Sequence, residues 1–210
     1  MGAVYLARDP QRRSRVAIKV LAEGLEDEVD RARFEREVEA LTKVGTHPGV
    51  VGLASAGTLP DGRPYLAMDY VEGEDLEQLL KRGLSPEKVV SYVLQVTSAL
   101  GYAHELGLIH RDIKPGNILI DADGERALLA DFGLARFSGS GQERLTMTGE
   151  VVGTPAYMAP EQLHPAGYGE PGPYTDVYAV GALLYFALSG RSANGAGSTI
   201  MMMANLASGE

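Results

Sequence analysis

The hydrophobic period of this 210-residue chain changes once, near Val71-Glu72-Gly73, and that change restricts the folds open to it. Before it, apolar and polar residues alternate as in strands. Val4 and Leu6 share one face, Val16, Ile18 and Val20 make a second run, and Asp9-Pro10 marks the turn between them. Val50 to Leu59 and Pro64 to Tyr70 read as two further strands around the turn Pro60-Asp61-Gly62. One helix interrupts this part: Glu28 to Val44 places Val29, Phe34, Val38, Leu41 and Val44 near helical spacing, and Gly45 follows as a residue able to end it with positive φ.

After Gly73, read as a hinge, the period becomes helical. A short helix is expected around Glu74 to Lys81. Ser85-Pro86-Glu87 then supplies an N-cap, a proline at N1 and an acid in the first turn, ahead of Val89, Val93, Val96, Leu100 and Ala103, up to Gly107. Brief strands at Ile118 to Ile120 and Ala127 to Ala130 flank Asp123-Gly124. A loop rich in Gly, Ser and Thr runs from Phe132 to Tyr157, and Thr175 to Ser189 is helical until Gly190. A loop of that length inside a compact domain is usually functional. The apolar run Val177 to Leu188 falls short of the roughly 20 residues that span a bilayer, so it reads as a buried core helix.

The net charge of −9 argues against a partner with a phosphate backbone, because nucleic-acid binders concentrate Lys and Arg on one face. Without cysteine there is no disulfide, thiolate metal site or cysteine nucleophile, which suits a reducing compartment. Met1 to Tyr5 carries no basic and apolar leader, so a cytoplasmic location is expected for this chain.

Four segments fall in order. Val16-Ala17-Ile18-Lys19 lies on a strand, His110-Arg111-Asp112-Ile113-Lys114-Pro115-Gly116-Asn117 follows the long helix, Asp131-Phe132-Gly133 follows a strand, and Gly153-Thr154-Pro155-Ala156-Tyr157-Met158-Ala159-Pro160-Glu161 closes the long loop. Each alone is weak, but together they resemble the motifs of bacterial, eukaryotic-like serine/threonine protein kinases. The resemblance implies an α+β, two-lobed fold over residues 1–190: an antiparallel sheet with one helix in an N-lobe of residues 1–70, a hinge at 69–73, and a mainly helical C-lobe over 74–190. Residues 191–210 read as a small-residue tail, with the start of a further helix through Ile200 to Leu206.

The resemblance also implies roles. Asp112 would be the base that receives or orients the substrate hydroxyl, with Lys114 reaching the transferring phosphate, a lysine that favours Ser/Thr over Tyr acceptors as Thr154 does. Lys19 would touch the α and β phosphates of ATP while paired with Glu37, leaving Glu35 and Glu39 on a solvated face. Asn117 and Asp131 would hold Mg²⁺, with Mn²⁺ as a substitute. Met68 would sit behind the adenine, the backbone of Asp69 and Val71 at its edge, and Val4, Ala17 and Leu119 on its faces. His110 is expected to pack in the core against Phe132, Leu41 and Leu53, and Asp176 to hold the loop of Asp112 from below. For Asp176 the competing account is an acid at a helix start, favoured only by the macrodipole. Protein substrates with Ser or Thr are the expected partners, and Thr146 and Thr148 are expected self-phosphorylation sites whose phosphate Arg111 would meet.

Two departures shape the expectations. The family's phosphate-covering loop is represented only from its last glycine, Gly2, so the first strand is expected to be missing. At the other end the last helices are expected to be missing, and no arginine stands at the family position for pairing with Glu161, which leaves Glu161 exposed or the natural chain longer. Longer relatives of this kind often continue into a membrane anchor. The alternative function is a catalytically impaired fragment that binds nucleotide or a partner.

Overall fold

The structure is a computed structural model that describes residues 3–22, 24–25, 27–132, 155–195 and 201. Strands β1 (Ala3–Asp9) and β2 (Ser14–Val20) form a hairpin whose turn is set by Asp9, its carboxylate accepting from the N–H groups of Gln11 at 2.8 Å and Arg12 at 3.1 Å. With β3 (Leu53–Thr58) and β4 (Pro64–Asp69) they build an antiparallel sheet in the order β1-β2-β4-β3. The register sets Val4 opposite Lys19, Leu6 opposite Ala17, Lys19 opposite Leu66 and Ala17 opposite Met68, so these six share one face.

Helix α1 (Glu28–Val44) packs on the sheet through Phe34, Leu21 and Leu66. The carboxylate of Asp27 caps it, accepting from the N–H of Asp30 at 2.8 Å. Two expectations change here. Val29 is 60% exposed and takes no part in the buried face of α1, which begins at Phe34. Gly45 has φ −63° and is not left-handed; a Cβ there would stand 3.1 Å from the Leu41 carbonyl oxygen and 3.3 Å from both Gly52 Cα and Leu53 N, so a side chain would need these backbone atoms to give by a few tenths of an ångström.

The strand expected from Val50 begins instead at Leu53. Val50 and Val51 join a different partner, with Val51 N–H donating to the Leu129 carbonyl at 3.0 Å and Leu129 N–H to the Gly49 carbonyl at 2.8 Å. This stitch ties the sheet's connection to the second sheet, made of β5 (Gly73–Asp75), β6 (Ile118–Asp121) and β7 (Ala127–Leu129) in that order. Gly73 is therefore a strand residue as well as a lobe junction. Its φ is 154°, and a Cβ would fall 1.9 Å from the Ile120 carbonyl oxygen.

The helical part is α2 (Leu76–Arg82), α3 (Pro86–Glu105), the short α4 (Pro160–Leu163) and α5 (Pro165–Tyr168), and α6 (Pro173–Ser189). Ser85 caps α3 and Gly107 follows it with φ 74°, while α6 ends at Gly190 with φ 71°, as the sequence predicts. The main core joins Val96, Leu100 and Ala103 of α3 to Ile118, Leu129, Phe132 and Leu183. Burying each such side chain contributes roughly 1.5–3 kcal/mol. The apolar run of α6 is buried on one face only: Ala179, Ala182 and Leu183 are inside, while Val177 and Leu188 are exposed among the described residues. No described helix is long and apolar enough to cross a membrane.

Candidate active site

The segment between α3 and β6 has no regular structure until a 3₁₀ turn at Pro115–Asn117, so side chains must hold it. Asp176, 0% exposed at the start of α6, does so: its carboxylate accepts from His110 N–H at 2.9 Å, Arg111 N–H at 2.8 Å and His104 Nε2 at 2.8 Å. The carbonyl of Arg111 accepts from Gln162 Nε2 at 2.8 Å. Both polar groups of the Arg111 backbone are thus held, and its φ of 67° is a left-handed conformation that costs a non-glycine residue about 1–2 kcal/mol.

His110 is 0% exposed and stacks obliquely on Phe132 with ring centroids 4.7 Å apart. Its Nε2 faces the Ala130 carbonyl at 2.8 Å and therefore carries the proton, while Nδ1 accepts from Asp112 N–H at 3.2 Å. Burial pushes its pKa below the ordinary histidine value, against the opposing pull of the Asp176 charge. A neutral imidazole of this kind braces the backbone of Asp112 and Ala130 and has no nitrogen left for acid–base work.

Asp112 sits above this brace. Its Oδ2 accepts from Lys114 Nζ at 2.7 Å and from Asn117 Nδ2 at 3.0 Å, and Asn117 Nδ2 also reaches the Asp112 carbonyl at 2.7 Å. Asn117 is buried, and its carbonyl accepts from Ala130 N–H at 2.9 Å, which sets it beside Asp131. Asp131 has φ 63°, a second strained backbone in the same cluster, and its carboxylate accepts from Lys19 Nζ at 2.8 Å. Lys19 is thus bonded to Asp131, while Lys114, Asp112 and Asn117 form a second group, and the two are joined through Ala130, whose N–H donates to the Asn117 backbone carbonyl.

Lys19, expected to pair with Glu37, is ion-paired with Asp131 in this structure. Glu37 is buried on α1, with an interaction of its own. Lys19 and Asp131 are both only partly exposed, so each compensates a charge that would be costly alone. Glu161 is buried, not exposed. Its Oε1 accepts from the Thr175 hydroxyl at 2.6 Å, and that hydroxyl accepts in turn from Gly172 N–H at 3.0 Å.

On the nucleotide side, Ala17, Met68 and Leu119 are half-buried and Val4 is 60% exposed. Met68, Leu53, Leu66, Leu129, Asp131 and Phe132 are among the residues lining a narrow apolar pocket. The N–H of Asp69 is used by the Gly52 carbonyl at 2.8 Å, and its carboxylate by Arg12 at 2.9 Å. Val71 follows in the connection to β5. Gly2, Thr154, Thr146 and Thr148 lie outside the described residues.

Sequence reasoning did not single out His104, Gln162 or Asn194. The first two support the backbone of the Asp112 loop, and Asn194, expected to belong to an unassignable tail, is buried. Neither spacing nor residue type marks them. His104 alone had a signal, one helical face shared with Leu100 and Ala103, which bury.

Comparison with known proteins places this geometry. The description "Protein kinase domain" matches residues 1–206. The chain is 43% identical to the serine/threonine-protein kinase PknJ of Mycobacterium tuberculosis over 97% of its own length and 35% of PknJ. It is 40% identical to the serine/threonine-protein kinase PknK of the same organism, over 91% of the chain and 17% of PknK. It is also 40% identical to the serine/threonine-protein kinase pkn3 of Myxococcus xanthus, over 90% of the chain and 36% of pkn3. The chain thus spans about a third or less of these relatives. The crystal structure of the M. tuberculosis PknI kinase domain superposes with a TM-score of 0.70 at 32% identity, covering 91% of this chain and 71% of that one.

Proposed function

This chain belongs to the protein kinase domain family, and from that premise we propose that it transfers the γ-phosphate of ATP to serine and threonine hydroxyls of protein substrates. The observation that carries the reading is the pairing of Lys19 with Asp131 together with the group Asn117, Asp112 and Lys114, joined through Ala130, a set that phosphoryl transfer needs in one place.

Asp131 and Asn117 carry hard oxygen donors, and the bond from Ala130 N–H to the Asn117 backbone carbonyl ties their two segments together. Few protein ligands suit Mg²⁺ or Mn²⁺, which keep waters and nucleotide oxygens in the rest of their shell, so the residues fit such an ion. When bound, the ion would supply positive charge to the phosphate oxygens of ATP.

The chain's own residues do the rest. Among the described residues the bonds to the Asp112 carboxylate both fall on Oδ2, which leaves Oδ1 to accept from an acceptor hydroxyl. As the hydroxyl oxygen bonds to the γ-phosphorus, the bond from that phosphorus to the bridging oxygen breaks, ADP departs, and the hydroxyl proton passes to Asp112. Lys114, already at Asp112, adds positive charge where the transferring group lies. Lys19 exchanges Asp131 for the α and β phosphates, with Glu37 as its carboxylate partner in that state. Val4, Ala17, Met68 and Leu119 with Gly2 enclose the nucleotide, whose adenine edge meets the Asp69 carbonyl and the Val71 backbone. Thr154 belongs to the same reading as a residue favouring Ser/Thr acceptors. Self-phosphorylation at Thr146 and Thr148 and residence in the cytoplasm belong to the same reading.

The test is phosphate incorporation from Mg-ATP into a generic basic protein by the parent, Asp112→Asn and Lys19→Met. Incorporation should fall by roughly 10²-fold or more in each variant. Equal incorporation in all three refutes the proposal, and phosphopeptide mapping of the parent decides Thr146 and Thr148.

A further inference from the structure

Beyond Gly190 the chain turns back, and Asn194 comes to lie against the segment that leads into α4. Its side chain is 4% exposed. Nδ2 donates to the Pro155 carbonyl at 2.6 Å and to the Met158 carbonyl at 3.1 Å, and Oδ1 accepts from the Tyr178 hydroxyl at 2.6 Å. Carbonyls only accept, so the orientation of this amide is determined. No other neutral side chain of this length offers two donors on one side and an acceptor on the other.

The segment it grips is buried at Pro155, Tyr157, Met158 and Ala159 and is held from several sides. Pro155–Tyr157 is a single 3₁₀ turn, and a turn of three residues is not stable alone. Tyr157 meets Phe186 of α6 edge-on at 6.0 Å between ring centroids. Further along, Ala159 N–H donates to Gln162 Oε1 at 3.0 Å, and Gln162 Nε2 holds the Arg111 carbonyl. The turn therefore hangs between the Asp112 loop, through Gln162, and α6, through Asn194 and Tyr178. Thr154, tied above to the choice of Ser/Thr acceptors, is the residue immediately before it in the sequence.

We infer that Asn194 is a positioning residue for the acceptor protein: through the Pro155 and Met158 carbonyls it sets the backbone against which the acceptor chain rests beside Asp112. The inference rests on the kinase reading and extends it to substrate selection. These bonds reach Pro155, Met158 and Tyr178 and not Lys19, Asn117 or Asp131, so on this inference ATP binding changes little when they are lost.

The experiment uses the full-length protein with Asn194→Ala and Tyr178→Phe. Steady-state kinetics are measured with a peptide acceptor varied at saturating ATP and with ATP varied at saturating peptide. Amide hydrogen exchange is followed over residues 155–159. Losing the two bonds to carbonyls in Asn194→Ala should raise the peptide KM about fivefold to thirtyfold. ATP KM should stay within about twofold, and exchange at Tyr157 and Met158 should speed up. Tyr178→Phe keeps both carbonyl bonds and should shift the peptide KM in the same direction by about twofold to fivefold; it carries the test if Asn194→Ala does not fold. An unchanged peptide KM, or peptide and ATP KM rising together, overturns the inference. A parent that transfers no phosphate refutes the kinase reading, and exchange alone then decides the clamp: unchanged protection over residues 155–159 overturns it.

Discussion

Replacing Asp176 by asparagine separates two accounts of one carboxylate. If Asp176 is only an acid near a helix start, the macrodipole contributes about 0.3–1 kcal/mol and the change is mild. The contacts require more. Three donors converge on the carboxylate at 2.8–2.9 Å, two on Oδ2 and one on Oδ1. An asparagine turned its better way keeps the two and presents its NH₂ to Arg111 N–H, leaving a buried donor facing a donor at about 1–3 kcal/mol. The two retained bonds lose charge assistance, roughly 1 kcal/mol each. Relief of carboxylate desolvation offsets part of this, so the net loss should be about 2–4 kcal/mol, a large share of the roughly 5–15 kcal/mol typical of a folded domain. With a urea m-value of about 2 kcal/mol/M the unfolding midpoint should drop by about 1–2 M, read by circular dichroism. The same change should lower kcat for phosphoryl transfer at least about tenfold, because Arg111, next to Asp112, would no longer be held at its N–H group. Glu87→Gln, an exposed acid in the first turn of α3, is the matched control and should move the midpoint far less. A loss below about 1 kcal/mol in Asp176→Asn, with transfer unchanged, refutes the anchoring argument.

Two further outcomes are expected. The folded pKa of His110 is depressed by burial below its unfolded value near 6.5, so the unfolded chain binds the proton more readily and stability, full above that pH, falls as the pH is lowered through it. The slope from this one group should approach about 1.4 kcal/mol per pH unit, and urea midpoints at pH 7.5 and 5.5 should differ less in His110→Leu than in the parent; equal differences count against it. Gly73→Ala drives a methyl into the Ile120 carbonyl at a φ that L residues rarely adopt. It should cost at least about 2 kcal/mol and speed hydrogen exchange at Leu119 and Ile120, whereas a midpoint within experimental error of the parent would show that β5 is dispensable.

Much of this protein was legible before its structure. Periodicity and caps place α1 at Glu28–Val44, and Ser85-Pro86 and Gly107 bound α3, because helix ends are local problems solved by nearby side chains. Ordered motifs pick out Lys19, Asp112, Asn117 and Asp131, since chemistry restricts residue type at each. Less legible were properties that depend on what arrives from elsewhere. Gly45 was read for a positive φ and instead sits at φ −63° in close contact with Gly52 and Leu53. Glu161 lacked an arginine in the sequence and found a hydroxyl, Thr175, fourteen residues on.

By itself the sequence determined the two-part order of sheet and helix, the helix boundaries and the types of the reacting groups, all of which follow from short-range spacing. Only the tertiary structure decided that Lys19 pairs with Asp131, that Val51 bonds to Leu129, that Asp176 reaches two amides and His104, and that Asn194 closes on Pro155. Each of these is a choice among several chemically equivalent partners. Burial makes that choice, since a polar group removed from water must take the partner the packing brings within about 3 Å.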